Sequence, residues 1–142
     1  MIRVVLDTNV LVSAVISSQG PNARLFDLVL SGQIQPCVSE DILTEYRGVF
    51  VDRLKFRRLS PSRINALIDL LERVSVKVTP RVVLKLSSHE PDNRIYECAE
   101  AAHARYIVTG NHKHFAQSYK SIEIVNARQL LDLLAAGNEP GR

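Results

Sequence analysis

Short apolar runs alternate with amphipathic stretches along most of the chain. Residues 2–6, 34–38, 74–78, 106–108 and 122–125 are brief and rich in β-branched side chains, the composition of strands. Between them, apolar residues recur at helical spacing. Leu25, Leu28 and Val29 do so over 21–31, and Ile42, Tyr46, Val49 and Phe50 over 40–54. Ile64, Leu67, Ile68 and Leu71 mark 61–73, and Ile95, Ala99 and Ala102 mark a helix that follows 90–93 and ends near 104. Further helices are predicted over 10–17 and 127–136. Pro21, Ser39, Ser60 and Asn126 are start signals, and Gly32 and Gly137 are stops. Pro36 predicts that the second strand pairs imperfectly or lies at an edge. Residues 79–88 read as a helical turn or a loop, and 138–142 as a disordered tail. Strands alternating with helices predict an α/β domain over 1–137, with a parallel sheet covered on both faces.

Composition narrows the class. With 46% hydrophobic and 23% charged residues in 142, the chain has a real core to bury, which excludes a disordered polypeptide. No apolar run approaches the ~20 residues of a membrane span, and the first residues enter a strand directly, so a cytoplasmic protein without membrane contact is expected. Cys37 and Cys98 lie in apolar surroundings without metal-binding spacing and read as buried free thiols. The net charge of +3 matters less than its placement. Five of the twelve residues from 52 to 63 are basic, with Phe56 among them, which suits either phosphate contacts or a solvated helix end.

The first strand ends in Asp7, Thr8 and Asn9. In an open α/β sheet, ligands bind beyond the carboxyl ends of the strands, so Asp7 is either a helix cap or part of a site. Glu45 shares the apolar stripe of its helix, where a carboxylate is costly unless paired, metal-bound or turned to water. Asp92 is the third acid, with Asp92 or Asn93 as helix cap the alternative. The predicted topology brings Asp7, the start of the Ser39 helix and the turn Thr109-Gly110-Asn111 to one edge. Asp92 joins them if its helix begins over that edge. Converging carboxylates favour a bound cation, and hard oxygen donors without sulfur favour Mg²⁺ or Mn²⁺. His112 and His114 lack the spacing and the thiol partners of a zinc site.

These blocks resemble the PIN domain family, in its VapC-like branch of toxin components from bacterial and archaeal toxin–antitoxin pairs. The resemblance runs through Val5 to Ala14, Ser39 to Tyr46, Pro91 to Ala99 and Arg105 to Asn111, in order over nearly the whole chain. It implies a three-layer α/β/α sandwich and a Mg²⁺- or Mn²⁺-dependent ribonuclease whose acids are Asp7, Glu45 and Asp92. Asn9 matches a residue that orients the first aspartate, and Thr109 a polar position near the metal. Asn111 stands where the family often has a fourth aspartate. RNA, an antitoxin protein and a second copy of the chain are the expected partners. A non-cutting PIN-like module that binds RNA or protein is the rival reading, favoured by Asn111. A receiver-like phosphoacceptor would need an acidic pair by the first strand and a Lys after the last, and has neither.

If Arg53, Lys55, Arg57 and Arg58 grip RNA phosphates, with Phe56 stacking on a base, neutralising each charge should flatten the slope of log affinity against log salt by about 0.7. A salt titration of RNA binding by the neutralised variants checks this.

Overall fold

The computed structural model describes residues 1–54, 60–111, 115 and 118–137. The elements in chain order are β1 (Arg3–Leu6), α1 (Thr8–Ile16), α2 (Pro21–Leu30), β2 (Gln35–Val38), α3 (Glu40–Leu54) and α4 (Pro61–Val74). They continue as β3 (Val76–Lys77), α5 (Glu90–Ala102), β4 (Tyr106–Val108), β5 (Glu123–Val125) and α6 (Ala127–Ala135). The strands form one parallel sheet in the order β3-β2-β1-β4-β5, sandwiched in a three-layer α/β/α fold. Among the described residues no helix is long and apolar enough to cross a membrane. Lys55, Phe56, Arg57, Arg58, the side chain of Arg53, His112, His114 and the tail 138–142 lie outside the described residues.

The strand order carries a functional consequence. From β1 the chain steps outward through β2 to β3, then returns to place β4 on the other side of β1 and β5 beyond it. The direction of winding therefore reverses between β1 and β4. Val4, Val5 and Leu6 pair with Tyr106, Ile107 and Val108, and all six are buried. Apolar side chains on consecutive positions are what a strand covered on both faces requires. The residues that follow this pair, Asp7 and Thr109, stand on either side of the switch point. This is the crevice where open α/β sheets bind ligands.

Several boundaries differ from the sequence pattern for local reasons. The second strand is internal, flanked by β1 and β3. The Gln35 N–H donates to the Ile2 carbonyl (2.9 Å), so strand alternation turns the Pro36 backbone toward β3. There the ladder begins only at Cys37 opposite Val76, and the missing N–H falls outside it. The Gln35 side-chain amide takes up the Pro36 carbonyl (2.9 Å) and reaches the Val74 carbonyl (2.8 Å). β3 is correspondingly shorter than 74–78, because only Cys37 and Val38 are left to pair with it. Helix α5 starts three residues before Asn93, with His89 at the cap position, Pro91 in the first turn, and Glu90 and Asp92 beside the positive end of the helix dipole. Neither Asp92 nor Asn93 is the cap. Ser39, Ser60 and Asn126 do cap their helices, Asn126 in a reciprocal capping box with Gln129.

Cys37 and Cys98 are buried and free. Burial pushes the Cys37 thiol up to about 11, partly offset by Arg3, and the Cys98 thiol up to about 12. A thiol in the unfolded chain ionises near pH 8.5. The folded state thus holds protons that the unfolded state releases, and stability present below about pH 8.5 is lost as pH rises toward 11. The denaturation midpoint should fall over that window, less steeply in the Cys37→Ala/Cys98→Ala protein. Thiol titration at pH 8 should label neither cysteine in the folded state and both in guanidinium.

Candidate functional site

Asp7 leaves β1 with its N–H donating to the Val108 carbonyl (2.9 Å), the last rung of the central ladder. It occupies the cap position of α1, yet its carboxylate makes no capping bond to the helix backbone. It accepts instead from the Thr109 hydroxyl at 2.8 Å, a buried bond across the switch point. The Thr109 hydroxyl in turn accepts from the Asn111 N–H at 3.0 Å. One oxygen is thus donor and acceptor at once, which fixes its proton on the Asp7 side and aims the carboxylate. Asp7 is 7% exposed and Thr109 fully buried, so the pair is shielded from water.

Glu45 is brought in from α3. Its Oε2 accepts from the Thr8 hydroxyl at 2.9 Å, which ties α3 to the first turn of α1 beside Asp7. The next residue, Tyr46, is buried and donates to the Leu6 carbonyl at 2.5 Å, where β1 ends. Burial above all, then the Cys98 thiol and the carboxylates of Asp7 and Glu45, hold the Tyr46 phenol well above its ordinary range. It therefore remains an O–H donor, and α3 stays pinned to the end of β1 with Glu45 beside it.

Asp92 lies in the first turn of α5. Because α5 precedes β4 and packs on β1 and β4, it runs antiparallel to them and begins at the carboxyl edge. A groove of about 390 Å³ confirms the placement, since Glu45 on one side and Glu90 and Pro91 on the other line it together. Asp92 is 5% exposed and accepts a long bond from the Ser87 hydroxyl (3.5 Å). Irregular residues 84–87 are strapped to α5 by two buried side chains. Asn93 accepts from the N–H groups of Leu86 (2.9 Å) and Ser87 (2.8 Å), and Glu97 from that of Leu84 (2.8 Å). Arg94 bridges Glu90 (2.9 Å) and Glu97 (2.8 Å).

Thr8, Tyr46, Ser87, Asn93, Arg94 and Glu97 escaped the sequence reading as site components. The legible signal was Asn93 and Glu97, polar residues at i and i+4 on a buried helix face. Nothing in the pattern distinguished Tyr46 from an ordinary core aromatic. Asn9 is exposed, and Asn111 is half-buried at the turn after β4.

The donors at this edge are hard oxygens, and both thiols are held protonated within the core, which suits Mg²⁺ or Mn²⁺ rather than a softer ion. Among the described residues no three carboxylates, imidazoles or thiols close into a ready cage. The carboxylates present suit a hard divalent cation, which one or two of them would hold.

A family model described as PIN domain matches residues 3–113. The uncharacterized protein MJ1680 of Methanocaldococcus jannaschii is 30% identical over 119 residues, 78% of this chain and 71% of its own length. Among solved structures, VapBC2 from Rickettsia felis bound to a DNA fragment from their promoter has a similar fold. Its TM-score is 0.59 at 15% identity, covering 88% of this chain and 98% of that one.

The Thr109 relay makes a sharp expectation. Thr109→Val keeps the side-chain shape but removes the only hydroxyl on this path, and should cost about 1–3 kcal/mol in chemical denaturation. Thr109→Ser should recover most of it. Measured together, the two separate the hydrogen bond from the packing.

Proposed function

The chain belongs to the PIN domain family, and from that premise we propose that it is a Mg²⁺- or Mn²⁺-dependent endoribonuclease, the toxin of a toxin–antitoxin pair. The observation that carries the proposal is the buried Asp7 carboxylate, aimed by Thr109 across the topological switch point. Asp7, Glu45 and Asp92 would hold the ion, directly or through water. The chemistry such an ion supplies is activation of water and neutralisation of charge on an RNA phosphodiester. The residues of the chain supply orientation. Thr109 holds Asp7, Thr8 holds Glu45, and the Asn93 strap holds the first turn of α5 from which Asp92 projects. Asn111 positions water or substrate at the rim, and Asn9 helps orient Asp7. The expected products carry 5′-phosphate and 3′-hydroxyl ends.

Arg53, Lys55, Arg57 and Arg58 hold the RNA backbone in this reading, with Phe56 against a base. A cognate antitoxin and a homodimer are the proposed protein partners, and the likeness to VapBC2 supports the former. One feature favours a non-cutting, RNA- or protein-binding module. Asn111 brings no negative charge where a fourth aspartate would, which lowers the attraction for a second cation.

The experiment that decides is cleavage of single-stranded RNA by the purified protein. Activity should require Mg²⁺ or Mn²⁺, stop with chelator, and fall at least about 100-fold in Asp7→Asn. That isosteric variant should keep the circular dichroism of the parent. Equal cleavage by both proteins overturns the assignment of Asp7, and no cleavage by either favours the binding module.

A further inference from the structure

The groove between α3 and the start of α5 has a composition of its own. Its floor is apolar, from Ile42 and Pro91, and its polar lining is Asp41, Thr44, Glu45, Glu90 and Arg94. Its volume of about 390 Å³ is at the small end for ligand pockets, which run about 300–1,000 Å³. Three carboxylates against one guanidinium make it a poor host for a phosphate. A neutral, flat ligand with N–H donors suits both the charge and the apolar floor.

The hydrogen-bond inventory is more selective. Glu90 is spent on Arg94 and Asn93 (3.1 Å), and Glu45 engages Thr8. Asp41 makes no hydrogen bond or ion pair among the described residues, so both its oxygens are available as acceptors. Arg94 is clamped between Glu90 and Glu97 through one Nη, and its other Nη makes no hydrogen bond or ion pair among the described residues. The groove thus offers the two unused acceptors of Asp41 and unused donors on Arg94 and on the Thr44 hydroxyl, beside Glu45. Of the four RNA bases, guanine alone presents two adjacent N–H donors, N1 and N2, next to an acceptor, O6. Adenine and cytosine offer one amino donor beside an acceptor, and uracil a single N–H flanked by two acceptors.

We propose that this groove is a subsite for one nucleobase beside the scissile phosphate, selective for guanine. Asp41 accepts from N1–H and N2–H, and Arg94 donates to O6 or stacks on the ring. The proposal rests on the ribonuclease reading for its place in a reaction, but its binding half can be tested without cleavage. In the Asp7→Asn protein with Mg²⁺ present, a uridine pentamer carrying one central guanosine should bind about tenfold tighter than the all-uridine pentamer. Adding Asp41→Asn should bring the ratio close to one, and Arg94→Ala should lower it, while the affinity for the all-uridine pentamer changes little. Equal affinities in the parent, a ratio unmoved by Asp41→Asn, or no binding of either pentamer overturns the subsite. If the wild type cuts no RNA yet the base discrimination holds, the ribonuclease reading fails and the subsite stands as part of a binding module. If the wild type cuts RNA with no base preference, the reverse is established.

Discussion

A carboxylate buried at the end of the central strand is the constraint around which this molecule is built. Taking Asp7 out of water is unfavourable unless its charge is met by donors or by a cation. The fold meets part of that demand from β4, whose Thr109 is fully buried and donates across the switch point. For the bond to form, β1 and β4 must be neighbours, which the return of the chain after β3 achieves. The winding of the sheet and the aim of one side chain are therefore the same fact seen at two scales.

The second level of support is in the helices. Glu45 and Tyr46 are consecutive on α3, and each fastens to the β1–α1 junction, one at Thr8 and the other at Leu6. On α5, the consecutive Asp92, Asn93 and Arg94 divide their labour among the site, the strap at 84–87 and the groove. Neighbouring residues on a helix project about 100° apart, so one turn can serve several surroundings.

The strand–helix alternation and the acid at the end of β1 were legible because periodicity and cap chemistry are local. Ser39, Ser60 and Asn126 cap as their sequence contexts indicate. What the pattern hid was non-local. Pro36 suggested an edge, but its effect is confined to one side of an internal strand, which depends on where β3 begins. Asp92 resembled a cap because its helix starts earlier than its apolar stripe. The hydroxyls of Thr8 and Tyr46 find their partners 37 and 40 residues away, beyond the reach of any local pattern.

The bond between Thr109 and Asp7 spans 102 residues. Its loop cannot close until β4 exists, and eight earlier elements precede β4. During synthesis, at roughly 5–20 residues per second, the emerging polypeptide displays Asp7 first and Thr109 late. A nascent chain halted before β4 carries Asp7 without the Thr109 hydroxyl that aims it.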